Sequence, residues 1–116
     1  MKLSNNFSRE EFKCNCGECE YDTVDSKLVE VLQDVREKYA ASVTVTSGNR
    51  CPEYNKEVGG SEKSQHMRGR AADIQVKGIS PHEIAQYLNW KYPEELGIGD
   101  YKLFTHVDTR NLKGRW

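Results

Sequence analysis

The chain has 116 residues, of which 30% are charged, and the charges nearly cancel to a formal −1. That length holds one modest hydrophobic core rather than two, so a single domain over residues 1–116 is expected. No basic block marks a nucleic-acid footprint or an electrostatic membrane anchor, and no apolar run approaches the roughly 20 residues of a membrane span.

The first residues, MKLSNNFSREEF, lack the apolar core of a signal peptide, so synthesis in the cytoplasm as a soluble product is expected. Ser8 followed by Glu11 reads as a capping box, which predicts a short helix from about Arg9. The Cys/Gly stretch from Cys14 to Cys19 reads as a loop. Leu28, Val31, Leu32, Val35 and Tyr39 share one face at helical spacing, predicting a helix from about Ser26 to Tyr39 with Asp25 as its cap. Val43 to Thr46 alternates valine with threonine, a strand pattern that stops at the turn residues Ser47-Gly48.

Pro52 to Val58 is expected to form a short helix stopped by Gly59-Gly60. Ser61 to Arg70 has no period and reads as loop. Ala72, Ile74 and Val76 alternate with Asp73 and Gln75, the pattern of a strand with one buried face. Ser80, Pro81 and Glu83 give a further helix start, with Ile84, Tyr87 and Leu88 on its apolar side and His82 as a surface or hydrogen-bonding residue of the first turn. Gly97-Ile98-Gly99 is expected to break the chain, and Phe104 to Thr109 to form a last strand. The mixture predicts an α+β domain with a small antiparallel sheet flanked by helices.

Cys14, Cys16 and Cys19 cluster, whereas Cys51 stands alone in the sequence. Without a secretion signal a disulfide framework is not the expected reading. Two readings stay open: reduced thiols in a turn, or a second, structural zinc held by Cys14, Cys16, Cys19 and Cys51.

The residues that carry chemistry lie in two stretches. Ser64-Gln65-His66-Met67-Arg68-Gly69-Arg70-Ala71-Ala72-Asp73 supplies an imidazole and a carboxylate, with Gly69 allowing a sharp turn before the strand of Asp73. On that strand Asp73 points away from the face of Ile74. Phe104-Thr105-His106-Val107-Asp108-Thr109 places His106 and Asp108 on one face and Val107 on the other. If the two strands are neighbours, His66, Asp73 and His106 can share a cation. Two imidazoles and a carboxylate suit zinc and leave a fourth position for water, as in catalytic sites. Read alone, each of these histidines and aspartates is equally well an ordinary polar residue.

The pattern Ser64, His66, Gly69, Ala71, Asp73 resembles the SxHxxGxAxD signature of the zinc D-Ala-D-Ala carboxypeptidases, peptidase family M15. That group includes phage L-alanyl-D-glutamate endolysins, VanX-type dipeptidases and the related hedgehog domain. Ser47-Gly48-Asn49-Arg50-Cys51-Pro52 is similar to the family's SGxR segment, and Phe104 to Asp108 to its last metal-binding strand. The resemblance spans nearly the whole chain, including the amino-terminal cysteine loop, and implies the hedgehog/DD-peptidase zinc fold in a monomer.

The resemblance implies one catalytic Zn2+ on His66, Asp73 and His106. It makes Arg50 a catalytic-site residue that binds a substrate carboxylate through its paired donors, and Ser64 a substrate-binding hydroxyl. The implied reaction is hydrolysis of a peptide bond in the stem peptides of bacterial peptidoglycan. A zinc-activated water attacks, and a carboxylate relays its proton to the leaving amine. Several relatives carry a glutamate or histidine two or three residues before the last zinc histidine. Here Phe104 and Leu103 stand there. Asp108 is then the expected base, with Asp100 second; Asp108 equally suits a role orienting His106.

Both a D-Ala-D-Ala carboxypeptidase and an L-Ala-D-Glu-type endopeptidase fit, in phage or prophage lysis, reaching the wall after release or as part of a phage particle. The competing expectation is a zinc-bearing binding module without catalysis, such as a phage tail or structural component, motivated by the missing glutamate.

Overall fold

The computed structural model describes residues 2–16, 24–61 and 64–116. Arg9–Phe12 is a single 3-10 turn, begun where Ser8 N–H donates to Glu11 Oε2 at 2.6 Å. Helix α1 spans Ser26–Tyr39, capped by Asp25, whose Oδ2 accepts from Leu28 N–H, and stopped at Ala40 in the left-handed region (φ 48°). Strand β1 covers Val43–Ser47 and helix α2 covers Pro52–Glu57. A second 3-10 turn, Gln65–Arg68, occupies part of the stretch that aperiodicity assigned to loop, because Ser64 Oγ accepts from His66 N–H and nucleates it.

Strand β2 follows at Ala71–Val76 and helix α3 at Pro81–Lys91, the latter begun by Ser80 Oγ accepting from Glu83 N–H. Strands β3 (Gly97–Asp100), β4 (Thr105–Asp108) and β5 (Gly114–Arg115) complete a sheet of order β1-β2-β4-β3-β5. Every neighbouring pair is antiparallel except β3 and β5, which run parallel, so the expected small antiparallel sheet is a mixed one. The α+β class stands.

The expected break at Gly97-Ile98-Gly99 is instead β3. Its glycines serve close approach rather than turning. A Cβ on Gly97 would sit 2.4 Å from Asp108 Oδ1 and from Arg110 Nε, and one on Gly99 would sit 2.7 Å from the Trp116 indole nitrogen.

One face of the sheet carries Ala72, Ile74, Val76, Ile98 and Val107, which pack with Leu28, Val31, Leu32 and Val35 of α1 and Ile84 and Leu88 of α3 into the core. The two-residue period puts Asp73, His106 and Asp108 on the opposite face. There His66 of the 3-10 turn and Arg50 of the loop after β1 stand against Asp73, Arg110 packs on Asp108, and Asp73, His106 and Asp108 are all buried.

Candidate metal centre

The register of β2 and β4 sets the site. Asp73 lies directly opposite His106, and Asp73 Oδ1 is 3.0 Å from His106 Nδ1. The third group arrives from outside the sheet. Gly69, at φ 68°, ends the 3-10 turn in the left-handed region and lets the chain swing into β2, leaving His66 folded back over Asp73. His66 Nε2 stands 3.3 Å from the same Oδ1.

The free ring nitrogens are fixed by second partners. His66 Nδ1–H donates to the carbonyl of Gly48 at 2.6 Å, and a carbonyl only accepts, so the neutral ring offers its lone pair at Nε2. His106 Nε2–H donates to Asp108 Oδ2 at 2.7 Å, which leaves Nδ1 as that ring's lone-pair atom. Both rings thus present an unprotonated nitrogen toward Asp73 Oδ1 once His106 is neutral. Two donors on a tetrahedral zinc at about 2.0–2.2 Å lie about 3.3–3.6 Å apart. The observed 3.0 and 3.3 Å need only small adjustment. His66, Asp73 and His106 are therefore a group that could hold a metal ion, on the chemistry and spacing of their donors.

Burial alone would push the Asp73 carboxyl up, but the imidazoles of His106 and His66 beside it outweigh burial and hold its pKa at about 2. Burial would push His106 down, and its bonds to Asp108 and Asp73 reverse that, raising it. Asp108, fully buried, is held well below the carboxylate range because Arg110 overcomes the burial penalty, with His106 adding to the effect. Arg110 Nε reaches Asp108 Oδ1 at 2.8 Å and its terminal nitrogen reaches Oδ2 at 2.7 Å, while Arg110 N–H also donates to Oδ1 at 3.1 Å.

The remaining site candidates fall in two places. Arg50 lines the cleft beside Asp73, with a terminal nitrogen 3.5 Å from Oδ2 and Nε 3.3 Å from Ser47 Oγ. Ser64 also lines it, its oxygen capping the His66 turn. Asp100 does not: it pairs with His82 Nδ1 at 2.5 Å, away from the metal group. The cleft, about 560 Å³, also has an aromatic wall that sequence reasoning missed. Tyr101 stacks on Phe104 at 4.6 Å, Trp116 Nε1–H donates to the Tyr101 hydroxyl at 2.7 Å, and the Trp116 ring lies 5.1 Å from that of His106. Arg110 was missed too, although its alternation with Asp108 past the strand end was visible. A wider hollow of about 710 Å³ along α1 contains none of these groups.

Cys14, Cys16 and Cys51 form a second group able to hold a metal, and Cys19 lies outside the described residues. Among the described residues no helix is long and apolar enough to cross a membrane.

A buried His-Asp-His group thus lies at the bottom of a cleft on the polar face of a small α+β sheet, a candidate metal centre. Residues 5–108 match the model of the family described as Peptidase M15, and the chain belongs to that family of zinc-dependent peptidases. No curated protein matches the chain.

Proposed function

We propose that the chain is a zinc metallopeptidase that hydrolyses amide bonds in the stem peptides of bacterial peptidoglycan. The observation that carries this reading is the convergence of His66 Nε2, Asp73 Oδ1 and His106 Nδ1, with the opposite ring nitrogens engaged, at the floor of a cleft that also holds Arg50. His66, Asp73 and His106 would hold the ion. When bound, zinc supplies Lewis acidity, making water acidic enough to attack near neutral pH and polarising the scissile carbonyl.

The chain's own groups do the rest. Arg50 receives a substrate carboxylate on its forked donors, which favours a peptide with a free carboxyl near the cut bond. Ser64 keeps its hydroxyl proton to donate to the substrate backbone while its oxygen holds the His66 turn. Tyr101, Phe104 and Trp116 give the substrate an apolar wall and exclude water. Asp108 was the expected base. With four donors on its two oxygens and a pKa far below neutral, it suits better the role of fixing the His106 ring.

Purified peptidoglycan sacculi and a D-Ala-D-Ala peptide, each incubated with the zinc-loaded chain, test this. Mass spectrometry of released fragments should find new amine termini and name the bond. Zinc at full occupancy with no cleavage of either would favour the second reading, a zinc-bearing binding module. That reading draws support from the cleft, where the only carboxylates among the described residues are Asp73 and Asp108. Action after phage release, or within a phage particle, is part of the proposal.

A further inference from the structure

A second set of ligand-type side chains converges away from the cleft floor. The sulfurs of Cys14, Cys16 and Cys51 all lie within 4.8 Å of one another, although Cys51 is far from the other two in sequence. Cys14 Sγ and Cys51 Sγ are 3.8 Å apart. A disulfide needs about 2.05 Å. Two sulfurs each about 2.3 Å from a tetrahedral zinc lie about 3.8 Å apart. The backbone N–H of Cys51 also donates to Cys14 Sγ at 3.4 Å, tying the two segments together at that sulfur.

The group closes a seam already laid down by the backbone. Asn49 donates to the Phe12 carbonyl through both its main-chain N–H and Nδ2, each at 2.9 Å, and Asn15 Nδ2 donates to Thr46 O at 2.9 Å. The amino-terminal segment therefore runs along the loop from Ser47 to Cys51. That loop carries Gly48, whose carbonyl orients His66, and Arg50 at the cleft. Cys14, itself buried, faces Cys51 across the seam.

We propose that Cys14, Cys16 and Cys51 form a thiolate site for a soft divalent cation of zinc's kind, which pins this loop to the amino-terminal segment. On binding, each thiol releases its proton to solvent and its sulfur donates a lone pair to the cation, with no electron transferred. Three thiolates leave one coordination position for a further donor or water. The site is separate from His66, Asp73 and His106, and stands whether or not the chain cleaves peptidoglycan.

The experiment uses the full chain, stripped of metal by chelator under reductant and then given zinc or cobalt alone. The wild type is expected to retain two equivalents of zinc. The His66→Ala/His106→Ala chain, which lacks the cleft ligands, should retain one, and with cobalt should show a sulfur-to-cobalt charge-transfer band. Cys51→Ser should lose that band and hold one equivalent fewer than wild type. Should Cys51→Ser not fold, X-ray absorption at the zinc edge of the double variant decides, with sulfur scatterers at about 2.3 Å expected. No zinc retained by the double variant, a zinc shell of nitrogen and oxygen alone, or cobalt binding without the sulfur band overturns the proposal. Loss of zinc from the cleft with the sulfur band intact counts against the peptidase reading and leaves this one standing.

Discussion

His106 is held between two carboxylates of one sheet face: its Nε2–H donates to Asp108 at 2.7 Å, and its Nδ1 stands 3.0 Å from Asp73. Arg110 neutralises the Asp108 side of that arrangement, and Gly97 of β3 leaves it room. Asp108→Asn keeps the shape but removes the ionic acceptor. Zinc affinity is expected to fall about 10–100-fold, the usual cost of losing a carboxylate behind a ligating histidine. Competition with a chromophoric chelator measures it. Unchanged affinity with a collapsed kcat would instead make Asp108 the base.

Removing a ligand is a harsher change than loosening one. His66→Ala, His106→Ala and Asp73→Asn should each empty the cleft site and abolish cleavage of sacculi, since two remaining donors hold zinc weakly. Metal content by mass spectrometry and fragment release are read on the same preparations. Chelator treatment of the wild type should stop cleavage, and added zinc should restore it.

Arg50 separates substrate binding from metal binding. Its side chain is 16% exposed, lies in the cleft, and reaches the metal group only through a long 3.5 Å contact with Asp73 Oδ2, the carboxylate oxygen turned from the two histidines. Arg50→Ala is expected to lower kcat/KM on a substrate with a free carboxylate about 10–100-fold, the equivalent of one charge-assisted hydrogen bond of about 1.5–3 kcal/mol. Zinc content should not change. Arg50→Lys should recover only part, because an ammonium lacks the paired donors. An amidated substrate that suffers equally from Arg50→Ala would refute the carboxylate role.

Gly48 joins the core to the site. A Cβ there would stand 2.8 Å from the Phe12 Cα and 2.9 Å from its carbonyl oxygen, both backbone atoms that cannot rotate away. Gly48→Ala should cost about 1–3 kcal/mol of stability by overpacking. Because the Gly48 carbonyl sets the His66 tautomer, zinc affinity should fall as well. Urea unfolding and chelator competition test the two effects; a fall in stability alone would show that the loop adjusts without moving the carbonyl.

A pH effect is expected outside the cleft. Burial pushes the Tyr87 phenol up, and its hydrogen bond to Asp34 Oδ2 at 2.7 Å pushes it further. The stability this bond contributes is present below the ordinary tyrosine pKa near 10 and is lost as pH rises through the raised folded value. Tyr87 should be among the last tyrosines to ionise in an ultraviolet titration. Tyr87→Phe should remove that late step and cost about 1 kcal/mol at neutral pH.

Local pattern alone carried much of the fold. The apolar stripe from Leu28 to Val35 and the cap at Asp25 gave α1 with its observed bounds, because helical period and cap chemistry are properties of neighbouring residues. The Ala72-Ile74-Val76 alternation likewise predicts that Asp73 turns from the core, and the two motif stretches contain the three residues that the structure brings together as a candidate metal group. Other features depend on partners distant in sequence. Gly97-Ile98-Gly99 reads as a break until Asp108, Arg110 and Trp116 are seen to need the space a side chain would fill. The Gly48 carbonyl behind His66 is backbone and leaves no trace in residue type. Asp108 matched the geometry of a base, but its engagement by Arg110 depends on how the chain leaves β4. Residue type and spacing determined which groups are able to ligate. Only the β2–β4 register and the returning loop decided which of their atoms face one another, since that is set by contacts between segments and not within them.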